Sequence, residues 1–411
     1  MLDLRASFVL PPAPAVDLRA FTHGAMPRTV PDMLRRFADD WAQRGVDAWN
    51  EVPDHWTGGA ARVGWWSLPE HLGDGFIAPM LAAPAGACVM QPNVHHTVSY
   101  LLSCPEPFAG GRREVVFTGA EFPSVQHAVR RWAGLAGVEP RPAAPAPDGF
   151  LDVDAVVDAV TDRTAWVFVS HVGFTSGEVA GDDALRRIAE AARRRGAHFA
   201  IDGYHATASL PVRVEDLACD AYFGGLLKEG CGSSGNAYLY VRPGLELTPA
   251  LAGWFADADP FAFAPAPADH RVVRRRFLAG TTAVAPLYHA VEGLRVLLGA
   301  GLAAVRADSL EKTGLALERA DAIGLEVRSP REAGRRGAML ILEVEAADRL
   351  CDWLRTRRVF TDSRQRRYLR MAPFVYNSAA DIDAAFDVIA EAVETGAHLR
   401  HEVAPAGGPV T

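Results

Sequence analysis

Short apolar runs alternate with longer amphipathic stretches from about residue 85 to residue 241. The apolar runs predict buried strands at 114–118, 165–170, 197–201 and 221–224. Apolar residues at helical spacing predict helices at 124–133 and 152–160, and a third helix that Asp182 or Asp183 caps and Gly196 ends. The Pro- and Ala-rich stretch 141–147 is predicted to be a loop. This alternation predicts right-handed βαβ units and a mostly parallel sheet covered on both faces.

The two ends of the chain have different patterns. After a Pro-rich arm, an amphipathic helix is predicted at 30–49 from the spacing of Met33, Leu34, Phe37 and Trp41. A Pro/Ala loop at 261–268 precedes two long predicted helices, the first with one face formed by Val284, Leu287, Val291 and Leu294. The last elements predicted are a strand at 338–344, a helix at 346–355, short strands around Val359 and Leu369, and a helix at 379–395.

These patterns predict an α/β protein in four parts. Residues 1–55 form an N-terminal arm and helix, and residues 56–285 form a large α/β domain with a mostly parallel sheet. Residues 286–400 form a smaller α+β domain that the N-terminal segment completes. Residues 401–411 are a Pro- and Gly-rich tail that we expect to be disordered.

Composition narrows the class of protein. A net charge of −8 and a pI near 5.9 argue against nucleic acid or an anionic membrane as the main partner. Five cysteines without a CxxC spacing suit a reducing compartment, and the sequence contains no metal-ligand pattern. The N-terminus lacks the features of a secretory signal, and no apolar run approaches the ~18 residues of a membrane span. We therefore expect a cytoplasmic protein without a metal.

Candidate chemistry concentrates between residues 200 and 241. Asp202 ends one predicted strand, His205 follows three residues later, and Lys228 comes just after the next strand, beside Leu226 and Leu227. Pyridoxal phosphate chemistry needs a lysine amine for a Schiff base and an acid that keeps the pyridine nitrogen protonated. Taken singly, Asp202 suits a loop cap and Lys228 a surface lysine. Their joint position at neighbouring strand ends, where parallel sheets bind ligands, favours the cofactor. Phe122 and His171 are predicted at the same edge.

Seven segments, in order, resemble the kynureninase branch of the fold-type I pyridoxal phosphate enzymes, which belongs to the class V aminotransferase superfamily. The resemblance extends from about Phe21 to Val393. The segments are FTHGAMP at Phe21, EFPS at Glu121, SHVGFTSGE at Ser170, the 202–228 core, RFLAGT at Arg276, RADSLEKT at Arg306 and LRMAPFVYNSAADI at Leu369. The resemblance implies a large domain with a seven-stranded type of sheet, and a homodimer with its active site at the subunit interface.

The resemblance also implies roles for individual residues. Lys228 would carry the Schiff base and move protons at the substrate's α-carbon, Asp202 would pair with the pyridinium nitrogen, His205 would support that pair, and Phe122 would stack on the ring. Arg370 would clamp the α-carboxylate of a small amino acid, because its planar fork matches a carboxylate. The implied phosphate ligands, some from the other subunit of a dimer, are His95, His96, Thr97, the Trp254 indole N–H, and Thr281 or Thr282.

Structural alternatives remain open for several of these residues. Phe122 and Trp254 also suit core packing, Thr281 suits a helix cap, and Arg370 suits a surface strand. The adjacent Trp65 and Trp66 suit either the core or a substrate wall.

The sequence departs from the kynureninase pattern at three positions. Leu227 replaces a tyrosine before the lysine, Val125 replaces an acid, and His96 replaces a threonine or serine. Side-chain cleavage needs a general acid, which contributes ~10²–10⁴-fold to rate. The candidate replacements are Tyr204, His95, His96 and Glu229.

We therefore expect a diverged, kynureninase-like hydrolase or lyase of specialised metabolism that cleaves a side-chain bond. An aminotransferase, an epimerase or a decarboxylating oxidase is the alternative among enzymes, and a non-catalytic scaffold is the alternative outside them. A cysteine desulfurase fits poorly, because Cys351 is expected in mid-helix and Cys231 just after the lysine.

Overall fold

The computed structural model describes residues 1–266 and 268–402. Most of the tail predicted to be disordered, from residue 403 onwards, lies outside the described residues. The largest sheet has seven strands: Cys88–Gln91 (β1), Glu114–Thr118 (β2), Glu139–Ala143 (β3), Thr164–Ser170 (β4), His198–Asp202 (β5), Ala221–Gly225 (β6) and Ala237–Val241 (β7). Their spatial order is β1-β7-β6-β5-β4-β2-β3. All neighbouring strands are parallel except the two pairs that contain β7. The predicted α/β class and mostly parallel sheet are confirmed.

The edge strand β3 corrects one prediction. Residues 141–143 of the predicted loop 141–147 pair with β2 instead. Pro140 and Pro142 lack a backbone N–H, which excludes them from a central strand. At the sheet edge β3 has a neighbour on one side only, so the missing donors cost no ladder bond on the open side.

Nine helices of seven or more residues lie in the described part of the chain: Val30–Arg44 (α1), Val94–Ser103 (α2), Pro123–Ala136 (α3), Val153–Ala159 (α4), Asp182–Arg194 (α5), Glu292–Ala300 (α6), Leu302–Ala322 (α7), Ala347–Thr356 (α8) and Ala379–Thr395 (α9). Shorter α-helices are Leu68–Leu72, Ala78–Met80, Val273–Arg276 and Val284–His289. Along β5, Phe199 and Ile201 join one hydrophobic cluster and Ala200 joins another, on opposite sides of the sheet. Both faces of the sheet are therefore buried, as predicted.

Three helix predictions differ from the structure. The helix predicted at 30–49 ends at Arg44, because Gly45 takes a positive φ of 52°. Only part of its predicted apolar face is buried, since Leu34 and Trp41 are exposed. The N-cap of α5 is Gly181, and Asp182 and Asp183 lie in its first turn.

The third correction concerns the first of the two long helices predicted after Phe277. It divides into Val284–His289 and α6, because Val291 leaves the helical conformation (φ −105°, ψ 4°).

A second, antiparallel sheet has four strands: Glu326–Val327 (β8), Leu340–Glu343 (β9), Asp362–Arg364 (β10) and Tyr368–Met371 (β11). Their order is β8-β9-β11-β10, and residues of α7, α8 and α9 share its hydrophobic core. The N-terminal segment joins this part, since Val16–Asp17 pairs with Val359–Phe360 and the Leu2 N–H donates to the buried Asp308. The remaining two-residue strands pair Phe8–Val9 with Met26–Pro27 and Val52–Pro53 with Arg62–Val63. The domain boundaries given above stay a prediction.

Among the described helices, none combines the length and the apolar character that crossing a membrane requires.

Candidate active site

A cavity of about 390 Å³ opens at the edge where the parallel strands of the large sheet end. Its walls include four residues singled out in the sequence, Phe122, Asp202, His205 and Lys228. Asp202 is the last residue of β5, and Lys228 comes soon after the end of the parallel neighbour β6. Because parallel strands end at the same edge of a sheet, the fold brings this acid and this amine into one space.

The Lys228 amine lies among an imidazole and two aromatic rings. Its Nζ atom is 2.8 Å from Nε2 of His205, 4.6 Å from the centre of the Tyr204 ring and 5.4 Å from that of Phe122. Burial lowers the pKa of Lys228 below its ordinary value, although the neighbouring Glu229 carboxylate opposes that shift. Burial also holds the pKa of His205 well below its usual range, so this imidazole is neutral. The arrangement supplies an amine that deprotonates readily.

Asp202 is buried at the end of β5, where its carboxylate accepts a hydrogen bond from the Tyr204 N–H at 2.8 Å. Burial raises the pKa of Asp202 to about 6, while the Tyr204 hydrogen bond and the Lys228 charge lower it. The carboxylate is therefore ionised at neutral pH and can hold a proton on a ring nitrogen. His171, predicted at the same edge, is instead bonded to the Tyr222 hydroxyl at 2.9 Å.

The N-terminal segment FTHGAMP reaches this site directly. The Gly24 N–H donates to the Leu227 carbonyl at 3.0 Å, and a Cβ at Gly24 would lie 2.1 Å from the Lys228 carbonyl oxygen. Only glycine allows the two backbones to approach this closely. The FTHGAMP segment thus packs against the backbone segment that carries Lys228.

The remaining walls suit a flat, anionic ligand. Phe122 and Phe174 pack edge to face, with ring centres 5.0 Å apart. Asn93, Val94 and His95, at the start of α2, also line the cavity. The first N–H groups of a helix lack intrahelical partners and attract phosphate. An amine, an ionised acid, aromatic rings and a helix N-terminus in one cavity fit pyridoxal phosphate.

Comparison with known proteins decides the family. The family model described as aminotransferase class-V matches residues 97–349. The chain belongs to the aminotransferase class-V family. Curated relatives include the "uncharacterized aminotransferase YcbU" of Bacillus subtilis, 27% identical over 76% of this chain and 81% of its own length. A kynureninase of Bacillus cereus is 26% identical over 87% of this chain and 84% of its own length.

Several solved structures share the fold. The cysteine desulfurase from Thermococcus onnurineus superimposes with a TM-score of 0.76 at 17% identity, covering 93% of this chain and 95% of its own. A C-DES mutant with glycine covalently linked to its PLP cofactor gives 0.77 at 16% identity, covering 92% of this chain and 97% of its own. At these identities they establish the fold alone. Family and fold together confirm the fold-type I architecture and the cofactor, pyridoxal 5'-phosphate.

The other predicted phosphate ligands of this class-V chain lie apart from the Lys228 cavity. His96, Thr281 and Thr282 line a second cavity of about 220 Å³. Thr97 is buried, and its hydroxyl donates to the Asn93 carbonyl at 3.1 Å. The Trp254 indole N–H donates to the Pro260 carbonyl at 2.7 Å. Of the predicted phosphate ligands, His95 alone among these described residues lines the Lys228 cavity, and the phosphate-binding roles of all of them stay predictions.

The two adjacent tryptophans take part in aromatic packing. Trp65 is buried, and its indole N–H donates to the Tyr288 hydroxyl at 2.9 Å. Trp66 packs on Phe255 at 4.1 Å between ring centres, and the Arg275 guanidinium lies over it at 5.2 Å. Trp65 is therefore a core aromatic and Trp66 is a half-buried aromatic that packs against the core, and their substrate role stays a prediction.

Arg370, the predicted carboxylate clamp, already holds a carboxylate. It makes two hydrogen bonds of 3.0 Å to Asp362, its cross-strand neighbour, and both side chains are buried. Arg364 donates to the same Asp362 at 2.8 Å, and the Thr22 hydroxyl does so at 3.1 Å. Two guanidinium groups therefore share one carboxylate, which leaves one positive charge unbalanced within the group.

Two glutamates near the site are buried, and the sequence gives only a weak indication of either. Glu121 accepts hydrogen bonds from the Ser170 N–H and hydroxyl at 2.6 and 2.7 Å, and Ser170 lines the cavity. Burial and the Asp202 charge raise the pKa of Glu121 to about 7. Glu229 lies behind His205, with the two side chains 3.5 Å apart. Glu121 opens the EFPS segment and Glu229 follows the lysine, but the sequence does not show that either is buried.

Lysine usage gives an independent signal. Arginine supplies nearly all the basic residues of the chain, and Lys228 and Lys312 are its two lysines. Lys312 is fully buried and paired with Asp308 at 2.7 Å. Lys228 is thus the one lysine on the wall of the candidate site.

Proposed function

We propose that the protein is a diverged, kynureninase-like hydrolase or lyase that cleaves a side-chain bond of a small amino acid in specialised metabolism. The observation that carries the proposal is the shared cavity of Lys228 and Asp202, with His205 2.8 Å from the amine. Kynureninases that match 87% of the chain support the reaction type. We also propose a cytoplasmic homodimer, a location that five free cysteines suit.

The site residues divide the work. Bound pyridoxal phosphate supplies an electron sink for charge that develops on the substrate. In the proposal, Lys228 binds the cofactor and moves the proton at the substrate's α-carbon. Asp202 keeps a proton on the pyridine nitrogen, since an ionised carboxylate favours the protonated ring. Phe122 and the start of α2 hold the ring and the phosphate.

The arginine group selects an α-carboxylate. Arg370 and Arg364 with Asp362 carry one unbalanced positive charge, which a substrate carboxylate would neutralise. Val172, Phe174 and Leu227 give the cavity an apolar wall. That wall favours an uncharged substrate side chain, because burying an unpaired charge there is costly.

Tyr204 is the proposed proton donor. Of the candidates from the sequence, His96 lines the second cavity and Glu229 lies behind His205, whereas His95 and Tyr204 line the Lys228 cavity. The Tyr204 ring is 4.6 Å from Nζ of Lys228, and a Cβ at Gly225 would lie 2.5 Å from it, so glycine makes room for the phenol. Burial raises the pKa of Tyr204, which keeps its proton in place until the reaction takes it.

A class-V aminotransferase is the second candidate, favoured by the relative YcbU, which is named as an aminotransferase and is 27% identical. An epimerase, a decarboxylating oxidase and a non-catalytic scaffold rank below it, because none of the relatives and structures described above carries such a name. A desulfurase that uses a cysteine nucleophile is disfavoured by the chain itself. All five cysteines are buried, and burial raises the pKa of Cys351 to about 11.

The test begins with cofactor binding. Wild type and Lys312→Arg should gain visible absorbance with pyridoxal phosphate, and borohydride should fix the cofactor to them covalently, whereas Lys228→Ala should form no covalent link. The loaded protein is then incubated with kynurenine, other aromatic and aliphatic amino acids and cystine, with and without a keto acid, and the products are identified by mass spectrometry. Two fragments from one amino acid, such as anthranilate and alanine from kynurenine, support the proposal. Keto-acid-dependent amino transfer without fragments selects the aminotransferase, and no product from any substrate contradicts both.

A further inference from the structure

Glu229 follows Lys228 directly but is not among the residues that line the cavity. Its side chain is 1% exposed, and its Oε1 atom lies 3.5 Å from Nδ1 of His205. Within residues 1–266 and 268–402, its other oxygen, Oε2, has no hydrogen-bond partner. A buried carboxyl group in this state costs free energy, so its position beside the lysine calls for an explanation.

His205 connects this acid to the amine. Its Nε2 atom lies 2.8 Å from Nζ of Lys228, while Nδ1 faces Glu229 and makes no hydrogen bond to the described part of the chain. The imidazole is 6% exposed, so water has little access to it. Carboxyl, imidazole and amine therefore form a line in which each ring nitrogen faces one ionisable group. Contacts of this kind are often long before a ligand binds and tighten afterwards.

We propose that Glu229 is a positioning residue that, through His205, controls the proton on Lys228. This rests on the proposed function, in which Lys228 is the reactive amine. In one state Glu229 is a carboxylic acid that donates to Nδ1, and the Nε2–H of His205 donates to a neutral Lys228. In the other, the acid's proton has moved to Nδ1 and the Nε2 proton to Nζ. Glu229 is then a carboxylate, Lys228 is an ammonium group, and His205 stays neutral in its other tautomer, so one proton leaves the acid and one reaches the amine.

The surroundings allow both states. Burial raises the pKa of Glu229 and lowers the pKa of Lys228, which brings the two groups into the same range. The charge of Arg370 acts on Glu229, His205 and Lys228. The other ionisable groups that interact with this line are Asp202, Arg364, Tyr204, Cys231 and Tyr376.

The chain's two lysines make a direct test possible. Full-length protein carrying ¹³C-labelled lysine gives two ε-methylene signals by NMR, and the pH midpoint of the Lys228 signal is measured before cofactor is added. The variants are Glu229→Gln, which keeps the size and hydrogen bonding of the side chain, and His205→Gln. Glu292→Gln is the matched control, because Glu292 is equally buried but pairs with Arg295.

Glu229→Gln should lower the Lys228 midpoint by about one pH unit or more, because a carboxylate that favours the ammonium form is removed. Glu292→Gln should leave the midpoint unchanged. In the His205→Gln background, the shift caused by Glu229→Gln should fall below half its wild-type size. An unchanged midpoint in Glu229→Gln would overturn the proposal, as would a shift of full size without His205. If Glu229→Gln does not fold, Glu229→Asp is measured instead. A Lys228 midpoint equal to that of wild type in this variant counts against control of the Lys228 proton by Glu229.

A second readout uses the loaded protein. The pH midpoint of its visible absorbance should shift in the same direction in Glu229→Gln, whereas a merely structural role would change only the amount of cofactor bound. The effect of Glu229 on the Lys228 midpoint is measured without cofactor, so its absence is distinct from failure of the proposed function. Failure of the proposed function would appear as wild-type protein that gains no visible absorbance.

Discussion

Arg370 and Asp362 face each other across two antiparallel strands and form two hydrogen bonds, each of 3.0 Å. Both side chains are buried, and Arg364 adds a third contact to the same carboxylate. The group that is expected to bind substrate is therefore held in place by the protein before any substrate arrives. Such a fixed arginine loses little side-chain entropy on binding, which favours specificity for a carboxylate.

Asp362→Asn should destabilise the protein by about 3 kcal/mol, because it leaves two guanidinium groups without their buried partner. Denaturant unfolding of the cofactor-free protein measures this free energy. Asp321→Asn is the control, since Asp321 forms a comparable pair with Arg331 on the surface and should have little effect. Equal stability of the two variants would show that Asp362 does not balance the buried arginines.

Arg370→Ala should raise KM for the amino-acid substrate about 10–100-fold, the cost of lost hydrogen bonds to a charged group. The decarboxylated amine of the same substrate serves as the comparison, because it lacks the group that Arg370 binds. Its KM should change little. Arg364→Ala should give the same pattern with a smaller effect, since Arg364 is closer to solvent. A similar loss with both ligands would place the carboxylate elsewhere.

Tyr204→Phe should lower kcat about 10²–10⁴-fold, because a general acid is removed while the ring remains. Cofactor affinity, followed by visible absorbance, should stay near that of wild type. Tyr368→Phe, on β11, is the control and should leave kcat unchanged. The role of Tyr204 is refuted by a Tyr204→Phe variant with wild-type kcat.

Asp202→Asn should make the cofactor-free protein more stable than wild type at pH 8, by about 3 kcal/mol. The folded pKa of Asp202, about 6, exceeds its ordinary value of 3.8, so the folded state binds the proton more tightly than the unfolded state does. The contribution of Asp202 to wild-type stability therefore becomes less favourable as pH rises from about 4 to 6, and the variant lacks this loss. Unfolding at pH 4, 6 and 8 measures the difference, which should vanish near pH 4.

The exposed Asp39→Asn variant is the control for this pH dependence and should match wild type at each pH. A difference between Asp202→Asn and wild type that is equal at all three pH values would show that the Asp202 carboxyl does not titrate as described.

Local pattern was sufficient to predict the centre of the fold. Strands β4, β5 and β6 are apolar runs buried on both faces, so their ends, and with them Asp202 and Lys228, followed from the sequence. The same reasoning failed for β3, because its two prolines indicate a loop wherever the sheet edge is unknown.

Contacts between segments that are far apart in the chain could not be predicted from the sequence. The Arg370–Asp362 pair depends on the register of β10 and β11, and the approach of Glu229 to His205 depends on how the chain after Lys228 folds back. Charged residues of this kind usually lie on the surface, so their burial gave no periodic signal. In the proposed homodimer, Thr281 or Thr282 would come from the other subunit, and local pattern does not place one subunit against another.

Chemical trapping is the sharpest check that Lys228 binds pyridoxal phosphate. Loaded protein is reduced with borohydride and digested, and the peptide that carries the phosphopyridoxyl mass is identified. Because the chain has two lysines, the assignment is unambiguous. We expect one label per chain on Lys228 and none on Lys312. A label on Lys312, or protein that takes up no cofactor at all, would contradict this expectation.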